Sequence, residues 1–275
     1  MTIAEVLPLL RCVECDAPVA SDANELACTK CQARWRSVNG IFDLRPSTSL
    51  PMPAMYEDRH YRQWNDRHME GHDYLYRSNP LLAWVQNAGH RHIRAVSKSS
   101  PEALTLDMGC GDGAHRPFMW RPDRAVGVDV DQRALEEYRA RCPEAAIVRG
   151  DCYRLPFGNG VFDRVVNIYN LEHLIHLDFA LEEARRVLKD EGELLVSVPT
   201  EGGAAWTMGR RMTTARQFAR DGFDYTRSNA IDHCNCVWQV EKTIRRHFRV
   251  ASRHLFPLVV PSYHLNLIVS WSLRK

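Results

Sequence analysis

The feature that most constrains this chain is the run Leu106-Asp107-Met108-Gly109-Cys110-Gly111-Asp112-Gly113. An apolar strand over residues 103–108 ends in a Gly-x-Gly-x-Gly turn. Glycines at alternate positions let the backbone reverse sharply, with no Cβ standing between it and a ligand. Such a turn after a strand cradles a nucleotide at the carboxyl edge of a parallel sheet. Charge narrows which nucleotide. Asp107 and Asp112 lie in the turn, and Asp129 and Asp131 follow the next apolar run. A dianionic pyrophosphate would be repelled by these carboxylates, whereas a nucleoside carrying ammonium and sulfonium charges would be attracted. The pattern favours S-adenosylmethionine over a dinucleotide.

The downstream pieces arrive in the order of a doubly wound sheet. Val126-Gly127-Val128-Asp129-Val130-Asp131 reads as the second strand, with Asp129 twenty residues after Gly109, where a carboxylate can accept both ribose hydroxyls. A helix over 132–141 follows, with Ala134, Leu135 and Tyr138 inward. Ile147-Val148-Arg149-Gly150-Asp151 is the third strand. Asp151 is placed for the adenine amino group, and the Cys152 backbone N–H for a ring nitrogen. The fourth strand and its exit run from Phe162 to His173. A helix opened by Asp178 keeps a 3.6-residue apolar stripe and ends at 189–192, before a fifth strand over 193–198. Residues 248–255 and 263–273 read as an antiparallel pair completing the sheet.

Together the "GD…LPF", "FD…LEH" and "LK..G.L" series over about 103–199 resembles class I S-adenosylmethionine-dependent methyltransferases. That resemblance implies an α/β fold, a Rossmann-like seven-stranded mixed sheet, with S-adenosylmethionine as methyl donor. It implies donor contacts at Asp107, Gly109, Cys110, Gly111, Asp129, Val130, Asp151 and Cys152, with Asn167 beside the methionine moiety. The Asn/Asp-Pro-Pro-aromatic turn of exocyclic-amine methyltransferases is missing, since the chain reads Asn167-Ile168-Tyr169. The first helix after the glycine turn is short and leaves His115 near the donor mouth. A hydroxyl acceptor needs a base near neutral pH, for which His173 and then His233 are the candidates.

The amino terminus carries a second signal. Cys12-x-x-Cys15 and Cys28-x-x-Cys31 are separated by twelve residues, so two tight turns can present four thiolates to one structural zinc. About forty residues cannot bury a stable core alone, and a metal supplies the folding energy. The stretch through Val38-Asn39-Gly40-Ile41-Phe42-Asp43-Leu44-Arg45-Pro46 resembles the zinc-ribbon proteins that activate methyltransferases of translation. It also resembles the ribbon of guanine methyltransferases of large-subunit ribosomal RNA. Those relatives imply RNA binding. Residues 1–46, however, hold five basic against six acidic side chains, a poor clamp for phosphates. Packing on the catalytic domain, or holding a partner protein, fits better.

The expected organisation is a ribbon over 1–46, a linker with lid helices over 47–100, and a donor-binding domain over 101–275 with an acceptor-pocket insertion about 200–235. Tyr56, His60, Tyr61, Trp64, His68, His72, Tyr74 and Tyr76 make the connector aromatic, suiting a lid over the donor. A helix from Asn79-Pro80 carries Leu81, Leu82, Val85, Ile93 and Val96 on a rough apolar stripe. Arg210, Arg211, Arg216 and Arg220, with no acid among them, suggest an acceptor bearing phosphate or carboxylate, and nucleic acid would suit the same patch. Gly202-Gly203, Gly209-Arg210-Arg211 and the segment 261–266 resemble methyltransferases found with bacterial glycan-assembly enzymes. His233-Cys234-Asn235-Cys236 places ligands too close together for one tetrahedral metal, so His233 reads as a pocket residue and Cys236 as a helix start.

Nine cysteines, several in Cys-x-x-Cys pairs, indicate thiolate chemistry in a reducing compartment. With no basic n-region at the start and no apolar run near the ~20 residues that span a bilayer, the chain reads as cytoplasmic, without a membrane span. The favoured expectation is O-methylation of an anionic small molecule or glycan intermediate. The alternatives are a ribosomal or transfer RNA base methyltransferase and a methyltransferase-like adaptor whose ribbon binds a partner.

Overall fold

The computed structural model describes residues 1–22, 25–51, 53–64, 66, 80–98, 100–119 and 121–275. After a short helix α1 (Ile3–Val6), four strands form a small antiparallel sheet: β1 (Val19–Asp22), β2 (Glu25–Cys28), β3 (Arg34–Val38) and β4 (Ile41–Phe42). Helix α2 (residues 59–64) and helix α3 (Pro80–Ser97) lead into the large sheet. Its strands are β5 (Thr105–Met108), β6 (Ala125–Asp129), β7 (Ala146–Arg149), β8 (Phe162–Ile168), β9 (Leu188–Pro199), β10 (Arg249–Phe256) and β11 (Ile268–Arg274). The order across the sheet is β10-β11-β9-β8-β5-β6-β7. β7, β6, β5, β8 and β9 run parallel, and β11 lies antiparallel between β9 and β10. This is the Rossmann-like mixed sheet expected from the sequence. The order reverses at β5, which places the glycine turn at the crevice of the switch point.

The strands are apolar on both faces because helices cover both. Val165, Leu194, Val196 and Val198 face one side; their neighbours Val166 and Leu195 face the other. On the first side sit α5 (Leu177–Val187) and α9 (Val237–His247), and on the second α3 and α4 (Gln132–Arg141). Asp131 caps α4 by accepting the Arg133 and Ala134 amides. Cys236 and Gln239 form a capping box at the start of α9. The helix α5 ends at Val187, and Leu188 passes directly into β9 beside Phe162, so residues 189–192 belong to the strand.

No α-helix joins β7 to β8 in residues 150–161, and the amino-terminal unit covers the sheet there. Val6, Leu10, Val13, Leu26 and Trp35 are buried in the same apolar core as Val128, Val148, Phe157 and Phe162. Main-chain bonds lock the contact: the Arg11 amide donates to the Pro156 carbonyl (2.9 Å) and the Leu44 amide to the Arg149 carbonyl (2.7 Å). Asp43 pairs in parallel with Arg149, so the segment after β4 extends the open edge of β7. Joining that edge satisfies its unpaired amides and carbonyls.

Three further helices fill the region between β9 and α9: α6 (Ala204–Met212), α7 (Thr214–Arg220) and α8 (Tyr225–Asp232). The expected lid is displaced here. Tyr61 and Trp64 pack with Phe218, Tyr225 and Ile231 of the insertion, and the Tyr56 hydroxyl donates to the Ile231 carbonyl (2.8 Å). These aromatic groups find apolar partners on the insertion rather than over the glycine turn. His68, His72, Tyr74, Tyr76 and Asn79 lie outside the described residues. The stripe on α3 is also narrower than its sequence suggests: Ile93 is fully buried, whereas Leu81 is 64% exposed. No helix among the described residues is long and apolar enough to cross a membrane.

Candidate functional site

The glycine turn is built by steric need. Gly109 has φ +78, and a Cβ there would lie 2.5 Å from the Asn170 side chain. Gly113, at φ +82, faces the Tyr138 ring at 2.5 Å in the same sense. The turn is tied to the second strand through Asp129, whose Oδ2 accepts the Gly111 amide (2.8 Å) and whose Oδ1 accepts the Asp131 amide (2.9 Å). Each of these oxygens keeps a second lone pair for a hydroxyl.

A cleft of about 1350 Å³ opens above the turn. Gly109, Asp129, Val130, Asp151 and Cys152 line it, together with Tyr153, Asn170 and His173. Its opposite wall, missed from sequence, belongs to the amino-terminal unit and the segment after it, including Trp35, Val38, Arg45 and Ser47. Nothing in the local pattern of those residues signals this, because only the pairing of Asp43 and Leu44 with β7 brings them across.

The remaining expected donor contacts are placed differently. Asp107 is 1% exposed and lies beneath the turn, with neither carboxylate oxygen hydrogen-bonded. Cys110 points into the core with Tyr138 and Ile147. Gly111 contributes its amide to Asp129, and Asn167 is sealed inside with its Nδ2 donating to the Met108 carbonyl (3.0 Å). Cys110 and Asn167 therefore shape the turn from below instead of lining the cleft. His115 is not at the mouth either: it is buried against α3, with its Nδ1 3.0 Å from His90 Nε2. The chain after the turn forms only a single helical turn, Arg116–Phe118, which folds His115 inward.

The electrostatics suit a cationic ligand. Burial pushes Asp107 up to about 6, with Asp129 adding to the rise and His115 and Arg116 opposing it. Burial also raises Asp129 and Asp151 above the usual carboxylate range. Three carboxylates held in a low-dielectric pocket gain from a nearby positive charge. The unpartnered oxygens of Asp107 and the open cradle above Gly109 fit the cationic nucleoside S-adenosylmethionine.

A second cavity of about 450 Å³ lies between α3, β9 and the insertion. Leu82, Val85, Trp206, Met212, Leu267 and Ile268 make its wall largely apolar. His173 lines both cavities and so marks where they meet. It sits in the turn Leu171–His173 after β8, which Asn235 fixes by donating to the Leu171 (3.0 Å) and Leu174 (2.6 Å) carbonyls. His233, two residues before Asn235, is thereby brought against it, the rings 4.6 Å apart.

Acidic groups that sequence reading passed over surround this pair. His173 Nδ1 donates to the Asp232 carbonyl (3.0 Å) and lies 3.4 Å from its Oδ1. Burial lowers His173, but Asp232 and Glu172 outweigh it and carry the imidazole up to about 9. His233 Nδ1 is 3.0 Å from Glu201 Oε2, yet burial brings His233 down to about 4. Glu172, 2% exposed, is pushed up to about 7 by burial.

The arginine run divides. Arg210 lines the pocket, but its guanidinium is bound to Glu201 and stacks over Trp206 and Tyr225. Arg211, Arg216 and Arg220 are exposed and do not line it. The four therefore do not share one pocket.

The four amino-terminal cysteines converge. Cys12 and Cys31 sulfurs lie 3.6 Å apart and those of Cys15 and Cys28 3.5 Å apart. A tetrahedral site with Zn–S bonds of about 2.3 Å spaces its sulfurs about 3.8 Å apart. The Glu14 amide donates to Cys12 Sγ and the Lys30 amide to Cys28 Sγ, each at 3.3 Å. Asp16 (φ 61) and Gln32 (φ 62) close the two loops in the left-handed region.

Residues 106–196 match the family model described as a methyltransferase domain. A protein of Mycobacterium tuberculosis named as a probable S-adenosylmethionine-dependent methyltransferase is 34% identical over 113 residues, 40% of this chain and 41% of that protein. The malonyl-[acyl-carrier protein] O-methyltransferase of Erwinia pyrifoliae is 32% identical over 121 residues, 42% of this chain and 46% of that protein. The chain thus spans less than half the length of these curated relatives. Among solved structures, the Burkholderia thailandensis 1,6-didemethyltoxoflavin-N1-methyltransferase, with S-adenosylhomocysteine bound, superimposes with a TM-score of 0.52. It is 16% identical and covers 94% of this chain and 98% of its own. By fold and by sequence, residues 106–196 form a methyltransferase domain within a class I, Rossmann-like architecture.

Proposed function

We propose that this chain transfers the methyl group of S-adenosylmethionine to an oxygen atom of a small acceptor with an apolar body. The meeting of a carboxylate-lined cleft and an apolar pocket at His173 carries this reading. The donor supplies a methyl group on a sulfonium, already a good leaving group. The chain then needs chiefly to align and desolvate the acceptor. Asp129 and Asp151 hold the nucleoside end, and Asp107 presents negative charge from below. The new oxygen–carbon bond forms as the carbon–sulfur bond breaks, its electron pair staying on sulfur. His173 and His233 stand at the meeting of the two cavities; for a hydroxyl acceptor the neutral His233 is the group suited to take its proton, and the protonated His173 to donate a hydrogen bond to the acceptor oxygen.

An anionic or glycan acceptor loses the support that the arginine run offered, since Arg210 is neutralised by Glu201. A pocket of 450 Å³ with this lining suits a compact apolar molecule better. We further infer that Cys12, Cys15, Cys28 and Cys31 hold a structural zinc, supported by their sulfur spacing. Incubating cell extract with methyl-labelled donor tests the acceptor class. Label should pass to a fraction that extracts into organic solvent and resists RNase. Label released by RNase, or no transfer by protein that binds the donor, overturns the reading.

A further inference from the structure

The cysteine cluster is one of two groups among the described residues whose side chains could share a metal ion; the other is His173, Asp232 and His233. Each offers one ligand atom within 4.8 Å of the other two. From the cluster at the wall of the apolar pocket we infer a second metal site, binding a divalent first-row transition cation through His173, His233 and Asp232.

Three features favour a cation there. His173 Nδ1 is engaged by the Asp232 carbonyl at 3.0 Å, and His233 Nδ1 lies 3.0 Å from Glu201 Oε2 without a hydrogen bond of its own. In each ring Nδ1 is the nitrogen beside an oxygen, which leaves Nε2 for the ion and places an oxygen near the opposite nitrogen, as in the outer shell of metal-bound histidines. The ligand spacing is open by a small margin. His233 Nε2 lies 3.7 Å from Asp232 Oδ2, and Glu172, outside the trio, brings its Oε1 within 4.0 Å of His173 Nε2. An ion with bonds of about 2.1 Å separates its ligands by about 3.0–3.4 Å, so a slight contraction closes the site. Glu172 supplies the third feature: it is 2% exposed, and its Oε2 has no hydrogen-bond partner. A buried carboxylate oxygen left unpaired beside two histidines and an aspartate has the chemistry of a metal ligand in waiting.

Two histidines and one carboxylate leave coordination positions open to an acceptor oxygen. The cation would hold that oxygen beside the donor cleft, and the histidines would act on it through the metal. This role rests on the methyl-transfer reading; the metal site itself does not.

The test uses the full chain loaded with excess zinc and passed through gel filtration. Two zinc ions per chain are expected, and X-ray absorption should show a nitrogen or oxygen shell near about 2.0–2.1 Å beside the sulfur shell at about 2.3 Å. The double variant Asp232→Asn/His233→Ala should retain one zinc and the sulfur shell alone. One zinc per chain with sulfur scattering only in the parent protein overturns the site, as does a second zinc that survives in the double variant. If that variant fails to fold, the parent protein's count and scattering shells still decide. Calorimetric titration with S-adenosylmethionine on the same samples separates the two readings. Loss of donor binding with two zinc ions present would overturn methyl transfer and leave the metal site standing.

Discussion

Asp107→Asn isolates what the donor site costs the fold. Asp107 is buried at 1% exposure with both oxygens unpaired, and its carboxyl rises from 3.8 to about 6. Below pH 3.8 the folded and unfolded chains both carry the proton, and the residue has no pH-dependent effect. Between 3.8 and 6 the folded chain holds a proton that the unfolded chain has released, so stability falls as pH rises through this window. Above 6 the full penalty applies, about 3 kcal/mol at 1.36 kcal/mol for each tenfold change in proton affinity. Asn keeps the shape and removes the charge. At pH 7.5 and without donor, Asp107→Asn should be more stable by about 2–3 kcal/mol, raising Tm by about 4–8 °C. At pH 4 the two proteins should melt together. Donor affinity should move oppositely, weakening about tenfold or more as the negative field on the cationic donor disappears. Thermal melts across pH 4–8, with titration calorimetry at pH 7.5, test both halves. A variant less stable than the parent at pH 7.5, or a stability gap that persists at pH 4, would refute the reasoning.

Three other outcomes follow from the same geometry. Asp129→Ala removes the acceptor for the Gly111 and Asp131 amides and for the ribose, so calorimetry should show donor affinity falling at least 100-fold; unchanged affinity would contradict the ribose assignment. Cys28→Ser should release the ribbon zinc and also weaken donor binding, since Trp35 and Val38 line the donor cleft; metal analysis showing the zinc retained at the four-cysteine site would argue against it. Leu10→Ala, at a fully buried contact against Phe157, should cost about 3–5 kcal/mol in urea unfolding, and a loss under 1 kcal/mol would mean that the ribbon is not part of the common core.

The sequence by itself determined the Rossmann-like sheet and the turn at its switch point. A strand, a glycine turn and carboxylates at set intervals are local patterns, because side chains alternate along a strand and a positive φ demands glycine. The placing of Gly109, Asp129 and Asp151 at one cleft was legible for that reason, as was the convergence of the four cysteines, whose pairs each close one short loop. Periodicity also found α4, α5 and α9, whose inner faces repeat every three or four residues. It could not tell that Cys110 and Asn167 turn inward, since both lie on residues that also shape the turn.

Only the tertiary structure decided the rest. The ribbon became a wall of the donor cleft through main-chain pairing of Asp43 and Leu44 with β7, and backbone hydrogen bonds leave no trace in side-chain pattern. His173 and His233 stand sixty residues apart in the chain and meet because Asn235 grips the turn after β8. Arg210, read as a free cation, was claimed by Glu201 across one face of the pocket. These contacts join residues distant along the chain, and their energy comes from burial and charge pairing that exist only once the sheet has assembled.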